Sequence, residues 1–128
     1  QLNSIKKFIE GRKKIAKIYD RELSNLNSIE VIKPANSNEH NYFKYIILIK
    51  NKKRELIHRR LIEHSIYPSG YVYEIPLHKQ PIFKKYNKLK LINTEKYCSQ
   101  HLCLPIFYGM KIDQANYVSK ILIKVLKD

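Results

Sequence analysis

Tyr71, Tyr73 and His78 bring two phenols and an imidazole into one short stretch punctuated by Pro76 and Pro81. A phenol donates and accepts hydrogen bonds, and an imidazole does either according to its tautomer. The three could therefore bond the hydroxyl or phosphate oxygens of a ligand. In an extended run, Tyr71, Tyr73 and Ile75 share one side and Val72 with Glu74 the other. Pro76 lacks an amide donor and ends the ladder, which puts His78 on an irregular, exposed turn. The stretch reads as the edge of a site. The plainer reading, ordinary strand aromatics beside a solvated His78, stays open from residue types alone.

Other constellations carry less. Cys98, His101 and Cys103 form a Cys-x-x-His-x-Cys cluster with soft ligands for zinc. A structural site takes four ligands and no second pair stands at a recognisable spacing, so the cysteines read as small buried hydrophobes. His58 and His64 fall on opposite sides of a helix and read as surface residues. Glu55 and Arg59 are spaced as an i, i+4 ion pair, which is support and not chemistry. Neither a nucleophile elbow nor a phosphate cradle can be assembled, since Gly11, Gly70 and Gly109 lie far apart. The residues alone assign no catalytic, cofactor-binding or metal-ligating role.

The elements that would position these residues follow from periodicity. Leu2, Ile5, Phe8, Ile9, Ala16, Tyr19, Leu23 and Leu26 recur at helical intervals over roughly seven turns. No Ser, Thr, Asp or Asn precedes Leu2 as a cap, which predicts a helix that frays or continues from a larger protein. Ile29 to Ile32 is a short strand ended by Pro34, and Asn36-Ser37-Asn38-Glu39 a loop. Tyr42 to Ile49 is aromatic and β-branched almost throughout and reads as a central strand. Asn51 is the expected cap of a helix with Leu56, Ile57, Leu61 and Ile62 inward and Lys52, Lys53, Arg54, Arg59 and Arg60 wet.

That helix ends near Ser65, and a further strand should run from Gly70 toward Pro76. Ile82 to Thr94 lacks periodicity and reads as a loop with a turn of helix, followed by a short helix from Glu95 to Leu102. Cys103 to Ile106 is an apolar strand or bend, and Pro105 argues against a central strand there. Asp113 should cap a last helix with Ala115, Val118, Ile121, Leu122, Val125 and Leu126 facing inward. The fold class is α+β: a small sheet of about three strands packed against helices on one side. A long connecting helix over 1–26 precedes one compact unit over 27–128.

The 128 residues fit one domain, and a hydrophobic fraction of 44% excludes a disordered chain. With 25 basic and 11 acidic residues the net charge is +14, which attracts phosphates. The lysines are spread along the chain and read as solvated faces. They keep open the alternative of a basic α+β nucleic-acid-binding module. No apolar run approaches a membrane span, and the start resembles no signal peptide. Two cysteines suggest no disulfide framework, which points to a reducing, cytoplasmic setting.

The order of several pieces resembles a known family. They are Gln1-Leu2, Arg12-x-x-x-Ala16-x-x-Tyr19-x-x-x-Leu23, Tyr45-Ile46-Ile47-Leu48, Leu61-x-x-x-x-Ile66, Ile75-Pro76-Leu77-His78, Glu95-Lys96-Tyr97 and Leu104-Pro105. Together they resemble the C-terminal domain of the DegT/DnrJ/StrS sugar aminotransferases, fold-type I enzymes that depend on pyridoxal phosphate. The resemblance spans essentially the whole chain. It implies a parent enzyme that aminates keto nucleotide-sugars for amino-sugar and cell-surface polysaccharide biosynthesis, with glutamate as donor. It implies a homodimeric parent, no membrane and no nucleic acid. The Schiff-base lysine and most phosphate contacts would lie in an absent large domain, so the 128 residues alone would be inactive and bind no cofactor. A non-catalytic regulatory fragment paired with a separate catalytic chain is a third possibility.

In such enzymes the small domain supplies one wall of the cleft. The resemblance thus implies substrate contacts for His78, Tyr71 and Tyr73. Two departures bear on this: Ser65 stands where the family usually has Gly, and Tyr73 stands where members vary.

Overall fold

A computed structural model describes residues 4–36 and 40–128. The expectations for Gln1-Leu2 and for Ser37 to Glu39 lie outside the described residues. Among the described residues, four helices and three strands follow one another: α1 (Ile5–Leu23), β1 (Ile29–Val31), β2 (Tyr45–Ile49), α2 (Arg54–Glu63), α3 (Ile92–Gln100), β3 (His101–Leu104) and α4 (Ile112–Lys127). Two 3-10 turns, Leu77–Lys79 and Pro81–Tyr86, stand between α2 and α3. The fold is α+β, as the element pattern implies.

The strands form an antiparallel sheet in the order β1-β2-β3. Ile29 pairs with Ile49, and on the other side Tyr45 pairs with Leu104 and Leu48 with His101. β2 is central, as its unbroken apolar run predicts. Tyr45, Ile47 and Ile49 point to one face, where they join α1, α2 and α4 in a single core. Ile46 and Leu48 point to the other. α3 lies on that second face, so the helices are not confined to one side.

α1 runs for 19 residues and stops at Leu23. Its buried residues Ile15, Ala16, Ile18, Tyr19 and Leu23 recur at helical spacing and meet α4, whose six expected inward residues are all buried. Burying a Leu, Ile or Val side chain contributes about 1.5–3 kcal/mol, so this two-helix seam is a large part of the stability. α1 is thus part of the core over its C-terminal half. Two tyrosines tie it to the sheet side: Tyr19 donates to the Pro105 carbonyl at 2.7 Å, and Tyr45 donates to Asp20 at 2.7 Å. Burial pushes both phenols far above their usual range, so they stay protonated donors.

The helix ends depart from expectation. Asn51 does not cap α2; the N-cap is Lys53, without a side-chain cap bond. Asp113 lies inside the first turn of α4, where its charge suits the helix dipole. Gln114 instead accepts from the Lys111 amide at 2.9 Å. At the end of α2, Ile66 N–H donates to the Leu61 carbonyl at 2.9 Å and Ser65 N–H to Ile62 at 2.8 Å, a Schellman closure. Ser65 itself takes the left-handed conformation, φ +57°.

The expected strand from Gly70 toward Pro76 does not form. The chain leaves β3 after two backbone bonds, Ser69 N–H to Cys103 at 2.8 Å and Cys103 N–H to Gly70 at 3.0 Å. Gly70 turns the chain at φ +76°, a conformation a strand cannot hold. The third strand is β3 instead. It is an edge of the sheet and ends at Pro105, which suits a residue without an amide donor.

Candidate functional site

The segment after Gly70 is held by side chains. His101 Nδ1 donates to the Tyr97 carbonyl at 2.8 Å, the helical carbonyl one turn back. That bond leaves Nε2 as an acceptor, and it takes the Val72 amide at 2.8 Å and, at 3.4 Å, the Tyr73 amide. An imidazole has replaced the backbone partner a strand would have supplied. The alternation expected of Tyr71 to Ile75 is lost with it, because neighbouring Val72 and Tyr73 line the same hollow.

Arg54 holds the segment from below. Although it heads a run of solvated basic residues, it is buried, contrary to the wet position its helix pattern suggests. Its guanidinium donates through Nη1 to the Cys98 carbonyl and, at 3.4 Å, to the His101 carbonyl. Those oxygens belong to the end of α3, where helix carbonyls lack intrahelical partners. Nε pairs with Glu55 at 2.8 Å, which holds the Glu55 carboxyl below the usual range. The guanidinium carbon lies 4.0 Å from the Tyr71 ring centroid. Tyr71 also meets His58 at 5.8 Å and His101 at 5.9 Å between ring centres. Burial raises its phenol, with the Arg54 charge pulling the other way.

Tyr73 is 63% exposed. It rims an apolar cavity of about 240 Å³ with Ile46, Leu48, Val72, Tyr97 and His101 on the sheet face away from the main core. A hollow of about 490 Å³ lies elsewhere, near Tyr67, Phe107 and Tyr117, and holds none of the three candidate residues.

His78 departs from the sequence expectation. It is 6% exposed, inside the Leu77–Lys79 turn, and not on an open loop. Its Nε2 meets Glu95 Oε1 at 3.0 Å. Glu95 also accepts from the Leu91 amide at 3.2 Å, at the start of α3. The hydrogen bond from His78, then that from Leu91, holds the Glu95 carboxyl below its usual range. α3 therefore divides the candidate residues. Tyr71 and Tyr73 gather at its C-terminal end with His101, and His78 sits at its N-terminal end.

Cys98 and Cys103 are buried free thiols, and burial raises that of Cys103. Among the described residues, no group of three or more His, Cys, Asp or Glu could hold a metal ion. The imidazole between the two cysteines serves the backbone instead. Sequence reasoning placed Arg54 among the wet residues of its helix and weighed His101 only as a ligand. Neither carries a local signal of its partners, which stand 44 and 29 residues away.

No described lysine is buried. Among the described residues, no helix is long and apolar enough to cross a membrane.

Residues 1–123 match the model of the DegT/DnrJ/EryC1/StrS aminotransferase family. Over 108 residues the chain is 32% identical to dTDP-4-dehydro-2,3,6-trideoxy-D-glucose 4-aminotransferase of Saccharopolyspora spinosa, covering 83% of this chain and 27% of that protein. The crystal structure of aminotransferase TlmJ from Streptoalloteichus hindustanus superposes with a TM-score of 0.85 at 24% identity, over 99% of this chain and 34% of that one. NtdA of Bacillus subtilis, solved with bound cofactor PMP, superposes with a TM-score of 0.78 at 27% identity, over 92% of this chain and 28% of that one. The chain thus spans about a third of the length of the relatives it matches.

Proposed function

The chain belongs to the DegT/DnrJ/EryC1/StrS aminotransferase family, and on that premise we propose that it is the C-terminal small domain of a pyridoxal-phosphate-dependent enzyme that aminates a keto nucleotide-sugar. The observation that carries this is the family match over 1–123. The sugar aminotransferase of S. spinosa, 32% identical, supports the substrate class. Glutamate as donor, a homodimeric and cytoplasmic enzyme, and a place in the synthesis of cell-surface polysaccharide belong to the same reading. Residues 1–26 would then connect to a larger domain, with the C-terminal half of α1 built into the compact unit of 27–128.

Pyridoxal phosphate supplies the electron sink for amino transfer, and the reading assigns it to the rest of the protein. The residues present form a wall. Tyr73, the most exposed of the three candidates, would bond a sugar hydroxyl or a diphosphate oxygen. Tyr71 backs it from between Arg54 and His101. His78, buried against Glu95, would reach the substrate only on a movement of the Leu77–Lys79 turn.

The test uses the whole protein that contains these 128 residues, assayed with glutamate and a panel of keto nucleotide-sugars. Amino-sugar product is expected. A Tyr73→Ala variant should raise KM for the sugar nucleotide about tenfold with little change in kcat, the mark of a lost binding contact. Absence of transamination across the panel would overturn the reading.

A further inference from the structure

Beyond the Arg54–Tyr71 contact, the amides of Val72 and Tyr73 hang on one ring nitrogen. The Tyr97 carbonyl, 2.8 Å from Nδ1, keeps a proton on that atom in both charge states of His101. Only Nε2 can change, and Nε2 is the atom that accepts from Val72 and Tyr73. We propose that His101 is a positioning residue which, as a neutral imidazole, latches the Tyr71–Tyr73 segment to β3 and releases it on taking a second proton. The latch rests on this geometry alone; its use in a cleft rests on the reading above.

A proton on Nε2 would set an N–H donor against the Val72 N–H donor 2.8 Å away, so latch and imidazolium exclude each other. The surroundings favour the neutral ring. From α2, Arg54 brings a cation whose Nη1 is 3.4 Å from the His101 carbonyl, with Glu55 turned to the guanidinium. His58 stands behind Tyr71, also from α2. From the segment itself come the Tyr71 ring and Glu74, from α3 Tyr97 and the thiol of Cys98, and from β3 the thiol of Cys103. β2 contributes apolar Leu48, the register partner of His101. Among the described residues no carboxylate bonds this ring. Burial and, behind it, the Arg54 charge lower the pKa of the ring, and they outweigh the Tyr97 carbonyl, which raises it.

Release would not unfold the domain, since β3 keeps its ladder to β2 and the main core lies on the other face. It would free Val72 and Tyr73 to move with the phenol at the cavity rim. Amide positions on that edge would then follow the charge of one histidine.

The test is NMR on the isotope-labelled 128-residue chain. At pH 8 the His101 ring should show the proton on Nδ1. On acidification the Val72 and Tyr73 amide resonances should move on the same curve as the His101 ring, with a midpoint below 6.5, while the Leu122 and Val125 amides of α4 stay still. Hydrogen-exchange protection of the Val72 amide should fall at least tenfold across that curve. His101→Gln, whose side-chain carbonyl can take the Val72 amide, should keep the protection and abolish the titration. His101→Leu should lose the protection at every pH; if it does not fold, the Gln variant and the wild-type titration decide. A proton on Nε2 at pH 8, or a Val72 amide indifferent to the charge of His101, would overturn the latch. These readouts need no enzyme activity, so the latch and the aminotransferase reading can fail separately.

Discussion

The Arg54 guanidinium lies 4.0 Å from the centre of the Tyr71 ring while it donates to the carbonyl of Cys98. One buried cation therefore joins the start of α2, the end of α3 and the base of the tyrosine-bearing segment. Its charge is tolerated because Glu55 pairs with Nε and two carbonyls take Nη1, which together fix its plane. Removing it would leave buried carbonyls without donors.

Arg54→Met should lower stability by about 3 kcal/mol, the scale for a charged donor lost from buried acceptors. Arg54→Lys should recover less than half of that, because an ammonium lacks the planar fork that serves two carbonyls and an aromatic face together. Urea unfolding reads both, as a lower midpoint with an unchanged slope. A loss below about 1 kcal/mol would show that solvent replaces the guanidinium without cost.

Stability should fall on mild acidification through His101. Its pKa in the folded chain is lowered, mainly by burial, from an ordinary value of 6.5. Between the two values the unfolded chain binds more protons. The contribution of His101 is therefore fully present above pH 6.5 and is lost as the pH falls through the folded value. Urea midpoints measured from pH 8 to 5 should drop for the wild type and drop less for His101→Gln. Equal slopes for the two would contradict this.

Ser65→Gly should stabilise the domain. A side chain at φ +57° costs roughly 1–2 kcal/mol that glycine does not, and the Schellman bonds around it involve only backbone. A gain of about 1 kcal/mol, or about 4 °C in Tm for a domain of this size, is expected by calorimetry. Ser65→Val should move the other way.

The turn that carries His78 should loosen when Glu95 loses its charge. The carboxyl titrates below its ordinary value of 4.5, first because His78 bonds it and then through the Leu91 amide. Its contribution is present above pH 4.5 and is lost as the pH falls through the lowered value. Glu95→Gln should speed amide exchange in Leu77–Lys79 at neutral pH, while the Leu122 and Val125 amides of α4 stay protected. Unchanged exchange in the turn would show that Glu95 does not hold it.

Much of the frame was legible because it is local. The period of Ala115, Val118, Leu122 and Val125 specifies α4, and the apolar run around Ile47 specifies a central strand. The site was less legible because it depends on distant partners. Nothing near Arg54 in the sequence marks the carbonyl 44 residues on that draws it inward. Nothing around Tyr71 to Ile75 marks the imidazole that takes the amides a strand would have paired. Pro76 suggested an open turn for His78, and the acceptor on α3 closed it. Ser65 was visible as a helix end, but its positive φ shows only in the folded backbone.

The central claim is tested most directly by borohydride trapping of the cofactor in the whole protein that carries these 128 residues, followed by peptide mapping. A single lysine bearing the reduced pyridoxal group, lying outside 1–128, is the predicted result. A single labelled lysine within 1–128, or no trapped cofactor in an otherwise folded protein, would contradict the account.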